Sequence, residues 1–222
     1  MNKGNIQKGQ HQSDRLFDIS NKLQTHTPGL MGEKRLTKYA VLVPLVQTEE
    51  SGLAVLFEKR ASTLKRQAGE ICFPGGRIEQ SDGSPWKAAR RETSEELGIS
   101  PEQIDCLGEL DTLVMPSQLC IYSFVGLIRE PEIICPNPDE VEEFFLLPLE
   151  RLLGTRPAVY HASLKIQPGE DYPYHLIPNG TDYPWRTGKV SHLFYQVDDR
   201  VIWGLTARIL EHFLELIGRK DK

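Results

Sequence analysis

Glu92, Glu95 and Glu96 stand at i, i+3 and i+4, a spacing that puts three carboxylates side by side on one face if the stretch is helical. Like charges so placed cost a helix about 0.2–0.5 kcal/mol per pair, and they call for a compensating cation. A hard divalent ion such as Mg²⁺ takes oxygen ligands and bridges readily to the phosphates of a substrate. Three glutamates alone also describe a solvated acidic helix face, so the context has to separate the two. Ahead of the acids runs Phe73-Pro74-Gly75-Gly76, where a glycine pair lets backbone N–H groups approach an anion closely.

The acids need a helix, and its ends are marked. Ser84 followed by Pro85 is a good N-cap and first-turn pair, because the missing N–H and fixed φ of proline suit that position. Gly98 suits the position just past the C-terminus, where only glycine takes a positive φ cheaply. Upstream, Lys38–Gln47 is a nearly continuous apolar run and reads as a buried strand. Leu53–Glu58 reads as its neighbour across a turn at 49–52. Downstream, Ile104–Leu113 and Cys120–Ile128 read as strands joined around Met115-Pro116-Ser117. Glu140–Pro148 reads as another strand, followed by a short helix over Leu149–Leu153. Residues 155–189, rich in Pro, Gly, Tyr and Asp, read as irregular connections before a strand at Val190–Val197. Trp203–Ile217 closes the chain as an amphipathic helix, with Trp203, Ala207, Leu210, Leu214 and Ile217 on one face. The sum is an α/β protein: a mixed sheet between helices.

Arg91-Glu92-Thr93-Ser94-Glu95-Glu96-Leu97-Gly98-Ile99 resembles the second half of the box that defines the Nudix hydrolases, with Thr93 where an aliphatic is usual. Counting from Gly76, Asp82 takes the place of the usual box glutamate and the arginine arrives one residue late. That spacing is similar to the coenzyme A pyrophosphatase branch of the family. So is the upstream signature of Leu56, Arg60-Ala61, Lys65, Gly69 and Phe73-Pro74-Gly75-Gly76, and so is the closing Ile-Trp-Gly-x-Thr-Ala segment. The resemblance runs from about Lys38 to Ile217. It implies an α/β/α sandwich, and a metal site for Mg²⁺ or Mn²⁺ made by Glu92, Glu95 and Glu96. It also implies that Arg91 holds a neighbouring glutamate in its rotamer. In the same terms, Arg60 and Lys65 would meet the phosphates of the substrate beside Gly75 and Gly76. One departure is the Met115-Pro116-Ser117-Gln118 turn, where that branch usually carries a Thr-Pro-x-Gly-like sequence facing the substrate.

The reaction so implied is hydrolysis of the diphosphate bond of coenzyme A or its derivatives, giving 3′,5′-ADP and 4′-phosphopantetheine or its acyl form. Glu92 or an acid outside the box would act as base. The outside candidates are Glu140, Glu142 and Glu143, of which Glu143 is taken as the catalytic one; strand alternation puts Glu140 and Glu142 on one face and Glu143 on the other. An ADP-ribose or other nucleoside diphosphate substrate, or a non-catalytic nucleotide-sensing module, are the competing uses. The intact Arg91-Glu92 and Glu95-Glu96 pairs weigh against the last.

At 222 residues the chain has room for one sizeable core with an extension. We divide it into a 1–30 extension with a short helix (Leu16, Phe17, Ile19 and Leu23 at near-helical spacing) and a 31–222 Nudix hydrolase domain. That helix would cap the core or join a homodimer contact. A net charge of −5 weighs against nucleic acid as partner, and no apolar run approaches the length of a membrane span. Cys72, Cys106, Cys120 and Cys135 form no C-x-x-C pair and read as reduced thiols of a cytoplasmic protein. A small-molecule substrate is the expected partner.

Overall fold

The computed structural model of the chain describes residues 15–49 and 52–219. Its backbone divides between Leu36 and Thr37 into two units. In the first, residues 15–24 form a helix (α1), as the apolar spacing predicts, with an Asp18–Lys22 ion pair one turn apart.

The second unit is built on an eight-stranded mixed sheet. At its centre β1 (Thr37–Thr48) lies parallel to β7 (Leu119–Ile128), Thr37 beside Leu119 through to Val46 beside Ile128. β2 (Gly52–Arg60) and β4 (Gly75–Arg77) pair antiparallel with β1. β3 (Ile71–Cys72) and β8 (Val141–Pro148) pair with β2, and β5 (Ile104–Glu109) and β6 (Leu113–Met115) with β7. Alternation along the central strands loads both faces. Ala40, Leu42 and Leu56 face α2 (Pro85–Leu97) with its Ala88, Ala89 and Leu97. Val43, Val55 and Phe57 face the other core, shared with Leu210, Phe213 and Leu214 of α4 (Gly204–Leu216). A strand buried on both faces has to be apolar throughout, which is why Lys38–Gln47 carries no polar alternation. The layers are the expected α/β/α sandwich.

Three expectations change. The span 155–189 is not wholly irregular. Beyond the short helix α3 (Leu149–Gly154), β9 (Ala158–Leu164) pairs antiparallel with β10 (Gly188–Val197), and β10 with β11 (Arg200–Trp203), as a separate three-stranded sheet. Every residue of β9 is exposed, so no apolar alternation announced it. The single strand expected over Ile104–Leu113 is two, interrupted after a bulge between Cys106 and Gly108. The closing helix begins at Gly204, whose φ of +65° turns the chain out of β11, and it buries Ile209 and Phe213 in place of Trp203 and Ile217.

No helix of the described residues is long and apolar enough to cross a membrane.

Candidate active site

α2 has the ends its sequence announces. The Ser84 hydroxyl accepts a hydrogen bond from the Lys87 N–H, Pro85 opens the helix, and Gly98 at φ +64° donates its N–H to Ser94 O. Thr93 is fully buried where an aliphatic is usual, and donates its hydroxyl to Ala89 O at 2.7 Å, which removes the cost of burying it. A second reason for Gly98 lies outside the helix: a Cβ there would stand 2.1 Å from Cys135 O. The loop after β7 docks on this end of the helix through Cys135 N–H to Leu97 O and Asn137 N–H to Glu96 O. That docking carries Glu140 towards the acids.

Phe73-Pro74-Gly75-Gly76 is not an open turn. Gly75 and Gly76 lie in β4, paired with Val41 and Ala40. The Gly75 N–H donates to Glu96 Oε2 at 2.8 Å, so the anion it meets is the protein's own carboxylate. At Gly75 a Cβ would fall 2.4 Å from Ala40 O and 2.6 Å from Val41 Cα; at Gly76 it would fall 2.2 Å from Glu92 Cδ. The two glycines let β4 lie close enough to seat two glutamates.

Arg91 is the clamp. Its Nε reaches Asp82 Oδ1 at 2.7 Å, its Nη2 reaches Glu92 Oε1 at 2.9 Å and its Nη1 reaches Glu95 Oε2 at 3.1 Å. The guanidinium beside Asp82 holds that carboxyl below the usual carboxylate range, and Asp82 and Glu92 hold Arg91 above its own ordinary value. Asp82 also accepts the Glu79 N–H, so its part is to order the loop before α2.

The remaining acids are short of cations. Burial pushes Glu96 up, and the charges of Glu58, Glu92 and Glu140 push it further. Glu92 is raised by burial too, against the pull of Arg91, with Glu95 and Glu140 adding repulsion. Glu58, which no motif marked, is fully buried on β2. Its strand position was the available signal: it shares the parity of Leu56, which packs against α2. Among the described residues no three His, Cys, Asp or Glu side chains are already arranged to hold a metal ion. The donor set nonetheless fits a hard divalent cation. Glu92, Glu95 and Glu96 offer carboxylate oxygens, and Glu58, whose charge acts on Glu96, buries Oε2 without a hydrogen-bond partner among the described residues.

Of the outside candidates, Glu140 is the one whose charge acts on Glu92 and Glu96. It precedes β8, in a turn where its N–H reaches Asn137 O and its C=O accepts from Ala61 N–H, so strand alternation does not govern it. Glu142 pairs with Lys59. Glu143, expected to be catalytic, is exposed and stands 3.7 Å from Arg200. It lines a cleft of about 510 Å³ with Lys59, Phe194, Arg200 and Trp203. The charge of Arg60 acts on Glu58, whereas Lys65 is exposed in the loop between β2 and β3.

Raised carboxyl groups make a prediction about the cation-free protein. Above pH 4.5, the ordinary glutamate value, the folded chain holds protons that the unfolded chain has released. Folding stability therefore falls as pH rises through neutrality. Thermal melts of EDTA-treated protein from pH 5 to 9 should show a declining Tm, and saturating Mg²⁺ should flatten the decline. A Tm that rises over this range without cation would contradict the electrostatics described.

The chain belongs to the Nudix family: the NUDIX domain model matches residues 36–166. It is 36% identical over 138 residues to the peroxisomal coenzyme A diphosphatase NUDT7 of Mus musculus, covering 62% of this chain and 57% of that protein. It is 32% identical over 173 residues to the mitochondrial Nudix hydrolase 15 of Arabidopsis thaliana, covering 77% of this chain and 55% of that protein. The chain thus spans little more than half the length of these two relatives. An uncharacterized Nudix hydrolase NudL of Cronobacter sakazakii is 33% identical over 181 residues, 82% of this chain and 83% of that one. Nudix hydrolases generally use divalent metal ions.

Proposed function

We propose that the protein hydrolyses the diphosphate bond of coenzyme A or its derivatives with Mg²⁺ or Mn²⁺, releasing 3′,5′-ADP and 4′-phosphopantetheine or its acyl form. The observation that carries the chemistry is the seating of Glu92 and Glu96 against β4, with Glu140 brought to them by the docked loop. Glu92, Glu95 and Glu96 would hold the cation. A bound divalent cation supplies a Lewis acid that polarises a phosphoryl oxygen and eases the deprotonation of water. Arg91 fixes the Glu92 and Glu95 rotamers through its forked donors. Glu140 accepts the proton of the attacking water, whose oxygen bonds to phosphorus as the bridging P–O bond breaks. Arg60, beside the acids, neutralises phosphate charge, and Lys65 is free to sweep in from its exposed loop.

For the substrate, support comes from the upstream signature and from the coenzyme A diphosphatase among the relatives. The cleft behind β2 adds to it. Its Phe194 and Trp203 rings stack 5.8 Å apart, an aromatic wall suited to one end of a long molecule. The four cysteines are free thiols, which fits a reducing compartment, and we place the reaction in the cytoplasm. A product assay over coenzyme A, acetyl-coenzyme A, ADP-ribose, NADH and diadenosine polyphosphates tests the assignment. Release of 3′,5′-ADP, with the highest kcat/KM on the coenzyme A compounds, is expected. Preferred turnover of ADP-ribose or a dinucleoside polyphosphate would keep the chemistry and discard the substrate.

A further inference from the structure

Glu58 is a buried acid to which the proposed chemistry gives no role. It lies at 0% exposure in the apolar run of β2, on the face turned to α2. Its Oε1 accepts the Cys72 thiol at 3.2 Å, while its Oε2 is buried with no hydrogen-bond partner among the described residues. Arg60, whose charge acts on it, leaves its own buried Nε equally unpartnered. Neither protonation state explains this arrangement. A carboxylate here has only the Arg60 charge acting on it and no hydrogen bond to Oε2, which leaves a buried charge poorly compensated. A neutral carboxyl with its proton on Oε2 would bury a donor without an acceptor. The Glu58 charge is the foremost one acting on Glu96, so the two carboxyls are neighbours, and Oε2 is the oxygen left for a positive ligand.

We infer that Glu58 is a further acid of the cation site, contributing its free Oε2 from β2 to the divalent ion that Glu92 and Glu96 would hold from α2. The inference rests on the proposed metal chemistry, and extends the acid set to a strand outside the box. It also gives the Glu58–Cys72 contact a purpose, since the thiol holds one carboxylate oxygen and leaves the other open to a ligand.

The test is Mn²⁺ binding to the EDTA-stripped full chain, followed by electron paramagnetic resonance of the free ion, in wild type, Glu58→Gln and the exposed α3 control Glu150→Gln. Glu58→Gln should weaken Mn²⁺ by about 10–100-fold while its cation-free Tm stays level or rises, because a buried charge has been removed; Glu150→Gln should bind as wild type does. Unchanged Mn²⁺ affinity in a folded Glu58→Gln protein would overturn the assignment and leave Glu58 structural. So would a Glu58→Gln chain that fails to fold without metal, since an unpaired charge cannot be what holds the fold. If wild type itself takes up no Mn²⁺, the proposed function falls, and Glu58's role with it.

Discussion

Glu96→Gln should abolish most turnover, by about 10³-fold or more, in a protein that folds as well as wild type. The size follows from what is deleted. Charge stabilisation by a bound cation amounts to several kcal/mol of barrier, and each 1.36 kcal/mol is a factor of ten in rate. The fold survives because glutamine keeps the volume and an oxygen to accept the Gly75 N–H, the one backbone donor that Glu96 satisfies. It also removes a carboxylate that burial and three neighbouring acids disfavour. The cation-free Tm should therefore equal or exceed that of wild type, and its decline with pH should shrink. Steady-state rates with circular-dichroism melts decide the matter. Near-wild-type kcat in this variant would remove Glu96 from the metal site.

Gly76→Ala should give a folded but crippled enzyme, and the neighbouring Gly75→Ala a destabilised one. The difference lies in what each new Cβ meets. At Gly76 the three nearest atoms all belong to the Glu92 carboxylate, at 2.2, 2.4 and 2.5 Å. A side-chain tip can swing aside at little cost to stability, but Glu92 then leaves its place beside Arg91 and Glu96. Misplacement of a reacting group by about 1 Å can cost 10²-fold in rate, so kcat should fall at least that far while Tm moves by a few degrees. At Gly75 the obstacles are Ala40 O and Val41 Cα, backbone atoms of the central strand, and its φ of +151° is one that side chains rarely adopt. There β4 itself must move. Wild-type kcat in Gly76→Ala would mean that Glu92 works from another position.

What could be read from the chain was what is local. The ends of α2 follow from Ser84-Pro85 and Gly98 because capping is decided within one turn of helix, and the parallel core strand follows from an apolar run without alternation. β9 escaped because only its partner β10, more than twenty residues on, makes it a strand. The glycine pair lies beside the acids, where Gly75 meets Glu96 and Gly76 meets Glu92; a sequence shows that backbone can approach and not what approaches it. Alternation alone does not choose among Glu140, Glu142 and Glu143; the strand begins at Val141, and Glu140 lies before it in a turn at Asn137 that docking on α2 fixes. Glu58 was visible as a charge at the end of an apolar strand, with the parity of Leu56. No motif marks it.

The most direct test of the account is coenzyme A hydrolysis by the purified chain after EDTA treatment, then with Mg²⁺ or Mn²⁺ restored, reading 3′,5′-ADP as product. No turnover without cation, recovered in proportion to cation bound and absent throughout in Glu96→Gln, is the expected result. Turnover that persists in EDTA, or that returns with cation in Glu96→Gln as fully as in wild type, would contradict a cation site built on the acids of α2.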